Sequence, residues 1–111
     1  MMDPISNDLQ KYLDLAATRQ KLVISNIANV DTPGYQTQDI DFGLEFQRLA
    51  LGQNPEVISV AGLPVKNDGN DVSLDRESRL LSENALRFRF AITLLKDRFG
   101  MIKQVLQADK S

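Results

Sequence analysis

Ser25-Asn-Ile-Ala-Asn-Val-Asp-Thr-Pro-Gly-Tyr35 closes a long helical pattern with residues that prefer turns. Two asparagines lead into a Pro-Gly break. Pro33 fixes φ at the second position of a tight turn, and Gly34 supplies φ > 0 at the third, which predicts a type II turn over residues 32–35. Pro33 also pushes Thr32 out of helical geometry, so the helix stops by Val30 or Asp31. Asn29 is expected to end it in a left-handed conformation, and Asp31 to bond the turn backbone. The stretch is terminator chemistry: a stop, followed by a redirected chain.

Upstream of the stop, Asp3 is a good N-cap and Pro4 suits the first helical position. Leu9, Leu13, Ala16, Gln20, Val23, Ile27 and Val30 then follow a 4-3-4-3-4-3 spacing, a heptad seam with one polar interruption at Gln20. Downstream, Leu81, Ala85, Phe88, Ile92, Leu95, Phe99, Ile102 and Leu106 repeat the spacing without a polar break. Ser73 is the expected N-cap there, and Asp75 and Glu77 favour the positive end of the helix. Gly100 is its one weak helix former of consequence, costing about 1 kcal/mol against Ala.

Length decides the shape. Roughly 35 helical residues reach about 52 Å at 1.5 Å per residue, whereas a compact chain of this size has a radius of gyration near ~13 Å. The fold is therefore expected to be mainly α and elongated, with the N- and C-terminal helices paired along their seams like a coiled coil. Tyr12, Leu15, Leu22, Leu80, Phe90, Leu94 and Met101 lie off the seams, which points to apolar faces that other subunits cover. One unit spans residues 1–111: an N-terminal helix over 4–30, a turn and extended middle over 31–73, and a C-terminal helix over 74–109.

The middle differs from either arm. Ile40, Phe42, Leu44 and Phe46 alternate, which predicts an extended segment laid on a surface; a helix over residues 44–51 is the other option. Residues 53–72 are rich in Pro, Gly, Asn and Asp, with Val57, Ile58, Val60 and Val65 offering short strands and room for a β-hairpin. Asn67-Asp-Gly-Asn70 reads as a turn or a tip.

Composition narrows the function. The chain has 111 residues, 42% of them hydrophobic, and a formal net charge of −2. That is a poor balance for nucleic acid, which wants clustered positive charge. The absence of histidine and cysteine removes the commonest general base, the commonest transition-metal ligand and any thiolate chemistry. No apolar run approaches the ~20 residues of a membrane span, and no signal-peptide pattern appears. By that test alone the chain reads as cytoplasmic, with export without a cleaved signal left open.

Three clusters imitate chemistry. Asp68, Asn70, Asp71 and Asp75 miss the calcium-loop spacing, because Val72 and Ser73 fall where an oxygen ligand and a glycine belong. Asp39 with Asp41, or Glu77 with Glu83, has nothing to make a catalytic pocket of it. Arg87, Arg89, Lys96, Arg98 and Lys103 make the last helix basic on one side, for which acidic residues of the middle or of a neighbour are better counterparts than phosphate. No enzyme, cofactor, metal or small-molecule substrate is expected.

Asn26-Ile-Ala-Asn29 with Thr32-Pro-Gly-Tyr35 resembles the signature of bacterial flagellar axial proteins, the rod and hook family. Members typically carry an asparagine pair before Ile-Ala-Asn; here Ser25 replaces the first. Asn70-Asp-Val72, Leu74, Glu77 and the long seamed helix are similar to the second half of that signature. The short middle, Asp39-Ile-Asp-Phe42 and Glu83-Asn84 are most similar to subunits of the proximal rod.

The resemblance implies a structural subunit, exported by the flagellar type III apparatus without signal cleavage and polymerised helically in the periplasm. Its implied partners are copies of itself, other rod proteins, and the rod–ring adaptor and export-gate proteins at the rod base. Residues Asn26, Ile27, Ala28, Asn29, Thr32, Pro33, Gly34 and Tyr35 would form the motif and turn. Tyr35, Ile40 and Phe42 would anchor the middle against the C-terminal helix or a neighbour. Leu9, Leu13, Val23, Ile27, Leu81, Phe88, Ile92, Leu95, Phe99, Ile102 and Leu106 would make the seam contacts of assembly. Another short axial subunit and a soluble coiled-coil adaptor or secretion chaperone remain the alternatives.

Overall fold

The computed structural model describes residues 3–49 and 51–109; the ends of the expected 1–111 unit lie outside them, as does residue 50 of the 44–51 helix option. Three helices and two short strands follow one another as α1 (Pro4–Ala28), β1 (Gln38–Asp39), α2 (Phe42–Leu49), β2 (Ile58–Ser59) and α3 (Leu74–Asp109). The Asp3 carboxylate accepts from the Ser6 N–H at 2.7 Å and opens α1, with Pro4 in the first turn. The Ser73 hydroxyl accepts from the Arg76 N–H at 3.2 Å and opens α3.

α1 and α3 pack antiparallel. Arg98 meets Asp3 at 2.6 Å, Asn84 donates to the Ala16 carbonyl at 2.8 Å, and Asn26 donates to Glu77. The result is a rod of 70 × 27 × 17 Å with a radius of gyration of 18.3 Å, well above the ~13 Å of a compact domain this size. α3 outlasts its partner. Residues 99–109 continue past the Asp3–Arg98 pair with no helix beside them among the described residues, roughly 16 Å of overhang.

The arms pair, but not seam to seam. The α3 residues turned into the chain are Glu77, Leu80, Asn84 and Ala91, and they meet Leu15, Ala16, Val23 and Asn26 of α1 in the buried set. The expected α3 seam lies one position round the helix: Leu81, Phe88, Ile92, Leu95 and Ile102 are half-buried, and Ala85, Phe99 and Leu106 are exposed. The cause is polarity. Two of the four inward positions are Glu77 and Asn84, so a stripe defined by apolar residues settles on the neighbouring face. Leu15 and Leu80, expected among the uncovered residues, are core, at 1% and 8% exposure; Phe90, Leu94 and Met101 are exposed.

Two further expectations are corrected. The alternation of Ile40, Phe42, Leu44 and Phe46 does not give an extended segment beyond Ile40. Asp41 caps a helix instead, its carboxylate accepting from the Leu44 N–H at 3.2 Å. Phe42 and Phe46, one turn apart in α2, both pack edge-on against Tyr12, with ring centroids 5.0 and 6.0 Å away. Spacing of i, i+4 onto one aromatic outweighs the alternation. Asn29 also departs from expectation: its φ is −104°, and positive φ occurs only at glycines among the described residues. It ends α1 through hydrogen bonds rather than left-handed backbone.

The strands pair antiparallel, Gln38 with Ser59 and Asp39 with Ile58. They bracket α2 rather than forming a hairpin within residues 53–72. Of the four residues offered there as strand formers, only Ile58 lies in a strand.

The Pro-Gly turn forms as expected. Tyr35 N–H donates to the Thr32 carbonyl at 3.2 Å, and Gly34 has φ +74°. A second turn, around Gly69 at φ +85°, sits directly on it: a Cβ added at Gly69 would lie 3.3 Å from Gly34 Cα, whereas one added at Gly34 would meet nothing within 4 Å. Left-handed backbone costs an L-residue about 1–2 kcal/mol. Gly34→Ala should therefore lose about 1 kcal/mol in thermal or denaturant melts. Gly69→Ala should lose about twice that or more, because backbone must also move. Equal losses would show that the two turns do not bear on each other.

Candidate functional site

The motif folds into a junction where the three parts of the chain meet. Asn26 is its centre and is fully buried. Its side-chain amide donates to the Gln38 carbonyl at 2.8 Å and to the Glu77 carboxylate. Its oxygen accepts from the Tyr35 hydroxyl and from the Gln38 N–H, both at 3.0 Å. One asparagine thus ties α1 to the returning chain and to α3. Asn29 serves the helix end: its amide donates to the Ser25 carbonyl at 2.8 Å, and its side-chain oxygen accepts from the Thr32 hydroxyl at 2.9 Å.

The second signature cluster locks onto the first. The Asn70 amide donates to the carbonyls of Asn29 and Thr32, each at 2.8 Å, and its oxygen accepts from the Val72 N–H. Asp71 accepts from the Thr37 N–H at 2.6 Å and from the Thr37 hydroxyl at 2.8 Å. Asp68 and Asn70, which imitate a calcium loop in sequence, turn backbone instead: the Asn70 N–H donates to the Asp68 carboxylate and the Gly34 N–H to the Asp68 carbonyl.

A charged chain extends the junction. Asp39 takes a bidentate bond from Arg19, at 3.1 and 3.0 Å, and a third from Arg76 at 2.7 Å. Arg76 also reaches Glu77 at 2.6 Å. Two carboxylates and two guanidiniums, formally neutral, link α1, β1 and α3. Burial opposes the ionised form of Asp39, but the Arg19 fork, the Ile40 N–H and Arg76 outweigh it and hold the carboxyl below its ordinary range. Burial likewise works against the Arg76 cation, yet Glu77 and Asp39 raise its pKa.

The anchors and seam residues take distinct places. Ile40 is buried, and Tyr35 and Phe42 both face α1, Tyr35 on Asn26 and Phe42 on Tyr12. Arg87 of α3 lies over the Phe42 ring, 5.7 Å from its centroid. Pro33 and Gly34 stay at the surface. Val23, named for assembly, is only 1% exposed and belongs to the chain's own core. Leu9, Leu13 and Ile27 are half-buried on α1. Beside the helix pair runs an open groove of about 660 Å³, floored by Ala17, Ala85, Phe88 and Ile92 and edged by Lys21, Arg89 and Lys96.

Arg19, Arg76 and the clasp role of Asp39 were not legible as a set, because the partners stand 20 and 37 residues apart. Glu77 and Asn84 did carry a signal: with Leu80 and Ala91 they keep a 3-4-7 spacing, polar residues on a helical stripe.

Removing one partner of a buried ion pair costs about 3 kcal/mol or more. Asp39→Asn should lose about that much at pH 7 in denaturant melts. A folded-state pKa below the unfolded ~3.9 means that this stability is present above pH ~4 and drains as pH falls through the folded value. Acidification from pH 6 to pH 3 should therefore destabilise the wild type more than Asp39→Asn. Parallel acid limbs would remove Asp39 from the clasp.

Part of the junction, Asn26 to Tyr35, lies within the stretch that a family model matches. The family model described as flagella basal body rod protein matches residues 13–36, from mid-α1 through the Pro-Gly turn. The chain is 32% identical to the flagellar basal body rod protein FlgB of Salmonella typhimurium, over 88% of this chain and 89% of that protein. It is 30% identical to that of Escherichia coli K12, over 89% and 90%, and 25% to that of Bacillus subtilis, over 93% of each. With this level of identity along nearly the whole length, the chain belongs to the flagellar basal body rod proteins, as an FlgB-like structural subunit.

Proposed function

We propose that this rod subunit polymerises through α1 and α3 to form the proximal rod, the base of the drive shaft. In this reading the chain, one axial unit, is exported to the periplasm through the flagellar type III apparatus with no signal peptide cleaved. It assembles in the periplasm beside the export gate and the rod–ring adaptor, below the next rod protein. The family resemblance supports the placement.

The observation that carries polymerisation is the uncovered apolar area of α3, which flanks its inward stripe on both sides. Phe90 is 67% exposed and Val105 63%, and Leu86, Leu94, Phe99, Met101 and Leu106 are also exposed. So much apolar area on one helix exceeds the scattered apolar residues of an ordinary monomer surface. Covering it contributes roughly 25 cal/mol per Å². Leu81, Phe88, Ile92, Leu95, Phe99, Ile102 and Leu106 are the α3 contacts in this reading, and Leu9, Leu13 and Ile27 contribute from α1. The junction supplies shape: it sets the middle segment off the helix pair at a fixed place.

Phe99 tests the reading because it is exposed, so a charge there spares the monomer fold. Phe99→Asp should leave the purified chain's circular dichroism unchanged. Returned to a strain lacking this subunit, it should abolish swimming and leave basal bodies without a rod. Normal swimming would overturn assembly through the Phe99 side of α3.

A further inference from the structure

The turn that sits on Gly34 carries a reactive bond. Asp68-Gly69 is the one Asp-Gly pair in the chain, and no asparagine precedes a glycine. With no Cβ, a glycine leaves its backbone nitrogen open to the carboxyl of the residue before it. Asp68 and Gly69 are both exposed, so water reaches them. Hydrogen bonds nevertheless occupy both reacting groups. The Gly69 N–H donates to the Lys66 carbonyl at 2.9 Å, and the Asp68 carboxylate accepts from the Asn70 N–H at 3.0 Å. The frame around them is closed as well. The Lys66 N–H donates to the Asn70 carbonyl and the Gly34 N–H to the Asp68 carbonyl, both at 2.9 Å. Asn70 ties the turn to the end of α1 through the Asn29 and Thr32 carbonyls.

We propose that Asp68-Gly69 is an isoaspartate-forming site in the unfolded chain, and that closure of the junction shuts the reaction off. In the open chain the Gly69 nitrogen gives its proton to water and attacks Cγ of the protonated Asp68 carboxyl. A C–N bond forms, the C–OH bond breaks, and the departing hydroxyl takes up a proton and leaves as water. Water then adds to either carbonyl of the five-membered imide. Opening at the side-chain carbonyl restores aspartate. Opening at the main-chain carbonyl breaks the old peptide bond and leaves Gly69 joined through Cγ. Water is the only co-reactant, and the mass of the chain is unchanged. The product has an extra methylene in its backbone and a carboxylate where the Asp68 carbonyl was. The Gly34 N–H loses the carbonyl it bonds, and Gly69 shifts at its tight contact with Gly34. An isomerised chain therefore cannot close the junction. In the folded chain the reaction runs only through openings of the turn, so its rate follows the open population. A copy that waits unfolded ages at this bond before it can take its shape.

Warm incubation of the full-length chain near neutral pH, in buffer and in unfolding guanidinium chloride, tests both halves. Trypsin releases residues 67–76 as one peptide, because Lys66 and Arg76 bound it. Electron-transfer mass spectrometry then separates isoaspartate from aspartate at position 68. Isoaspartate should accumulate roughly tenfold faster or more in guanidinium than in buffer. Gly69→Ala should slow the reaction several-fold in guanidinium, where folding plays no part, because a Cβ shields the attacking nitrogen. Asn70→Ala should speed it several-fold in buffer, up to the guanidinium rate if the fold is lost, and leave the guanidinium rate unchanged. Returned to buffer, the isomerised chain should melt at a lower temperature than the unreacted chain. Equal rates in buffer and guanidinium, or no effect of Asn70→Ala in buffer, overturn protection by the junction. No isoaspartate at position 68 in guanidinium, or no effect of Gly69→Ala there, overturns the site. An isomerised chain that regains the original melting temperature overturns its exclusion from the fold.

Discussion

The fold depends on one fully buried amide. Asn26 sits in the last turns of α1, where water cannot reach it, and every hydrogen-bonding site on its side chain is used. A buried polar group left unpaired costs about 1–3 kcal/mol. The returning chain must therefore arrive where Gln38 and Tyr35 can serve the amide, and α3 must bring Glu77 to it. Only a side chain with both donor and acceptor ends meets all of these demands. Aspartate has no donor to offer Gln38, and leucine has neither end. The Pro-Gly turn exists to make this geometry reachable: it reverses the chain within a few residues of the helix end.

What the amide organises, the charges hold. Asp39 binds Arg19 of α1 and Arg76 of α3, so the first residues of the middle segment lie between two guanidiniums from different helices. At the opposite end of the pair, Arg98 meets Asp3, the residue that also caps α1. The helix pair is thus pinned by polar contacts near both ends, with a thin apolar contact between them. Ala16 and Ala91 in that contact let the helices approach, and a thin seam leaves the flanking leucines and phenylalanines uncovered. A structural subunit gains from this division. Its internal geometry is set by directional bonds, while its apolar area stays available at the surface, where the proposed assembly uses it.

Several elements could be read from local sequence, and each for a local reason. Asp3-Pro4 opens α1 and Ser73 opens α3, because capping involves residues within three positions of one another. The turn at Gly34 needs φ > 0, and the Pro-Gly pair states that requirement openly. The length of α3 and the elongated shape follow from an unbroken helical pattern too long for a compact domain. The misreadings share the opposite feature. Asn29 could end a helix by backbone or by side chain, and its neighbours Ser25 and Thr32 decided for the side chain. Phe42 and Phe46 look like alternating strand residues until Tyr12, thirty positions away, is placed beneath them. The inward stripe of α3 includes Glu77 and Asn84, whose burial makes sense only once Asn26 and the Ala16 carbonyl face them.

By itself the sequence determined where the two long helices start and stop, that the chain is a long α-helical body with little of its own to bury against, and that its signature is a stop-and-turn device. Those properties depend on neighbours in the chain and on the ratio of length to apolar content. Tertiary structure alone decided which stripe of α3 faces inward and that Asp39 is a clasp rather than a stray carboxylate. Each of these is a contact between residues far apart in the chain, and no local pattern encodes which distant partner will satisfy a buried polar group.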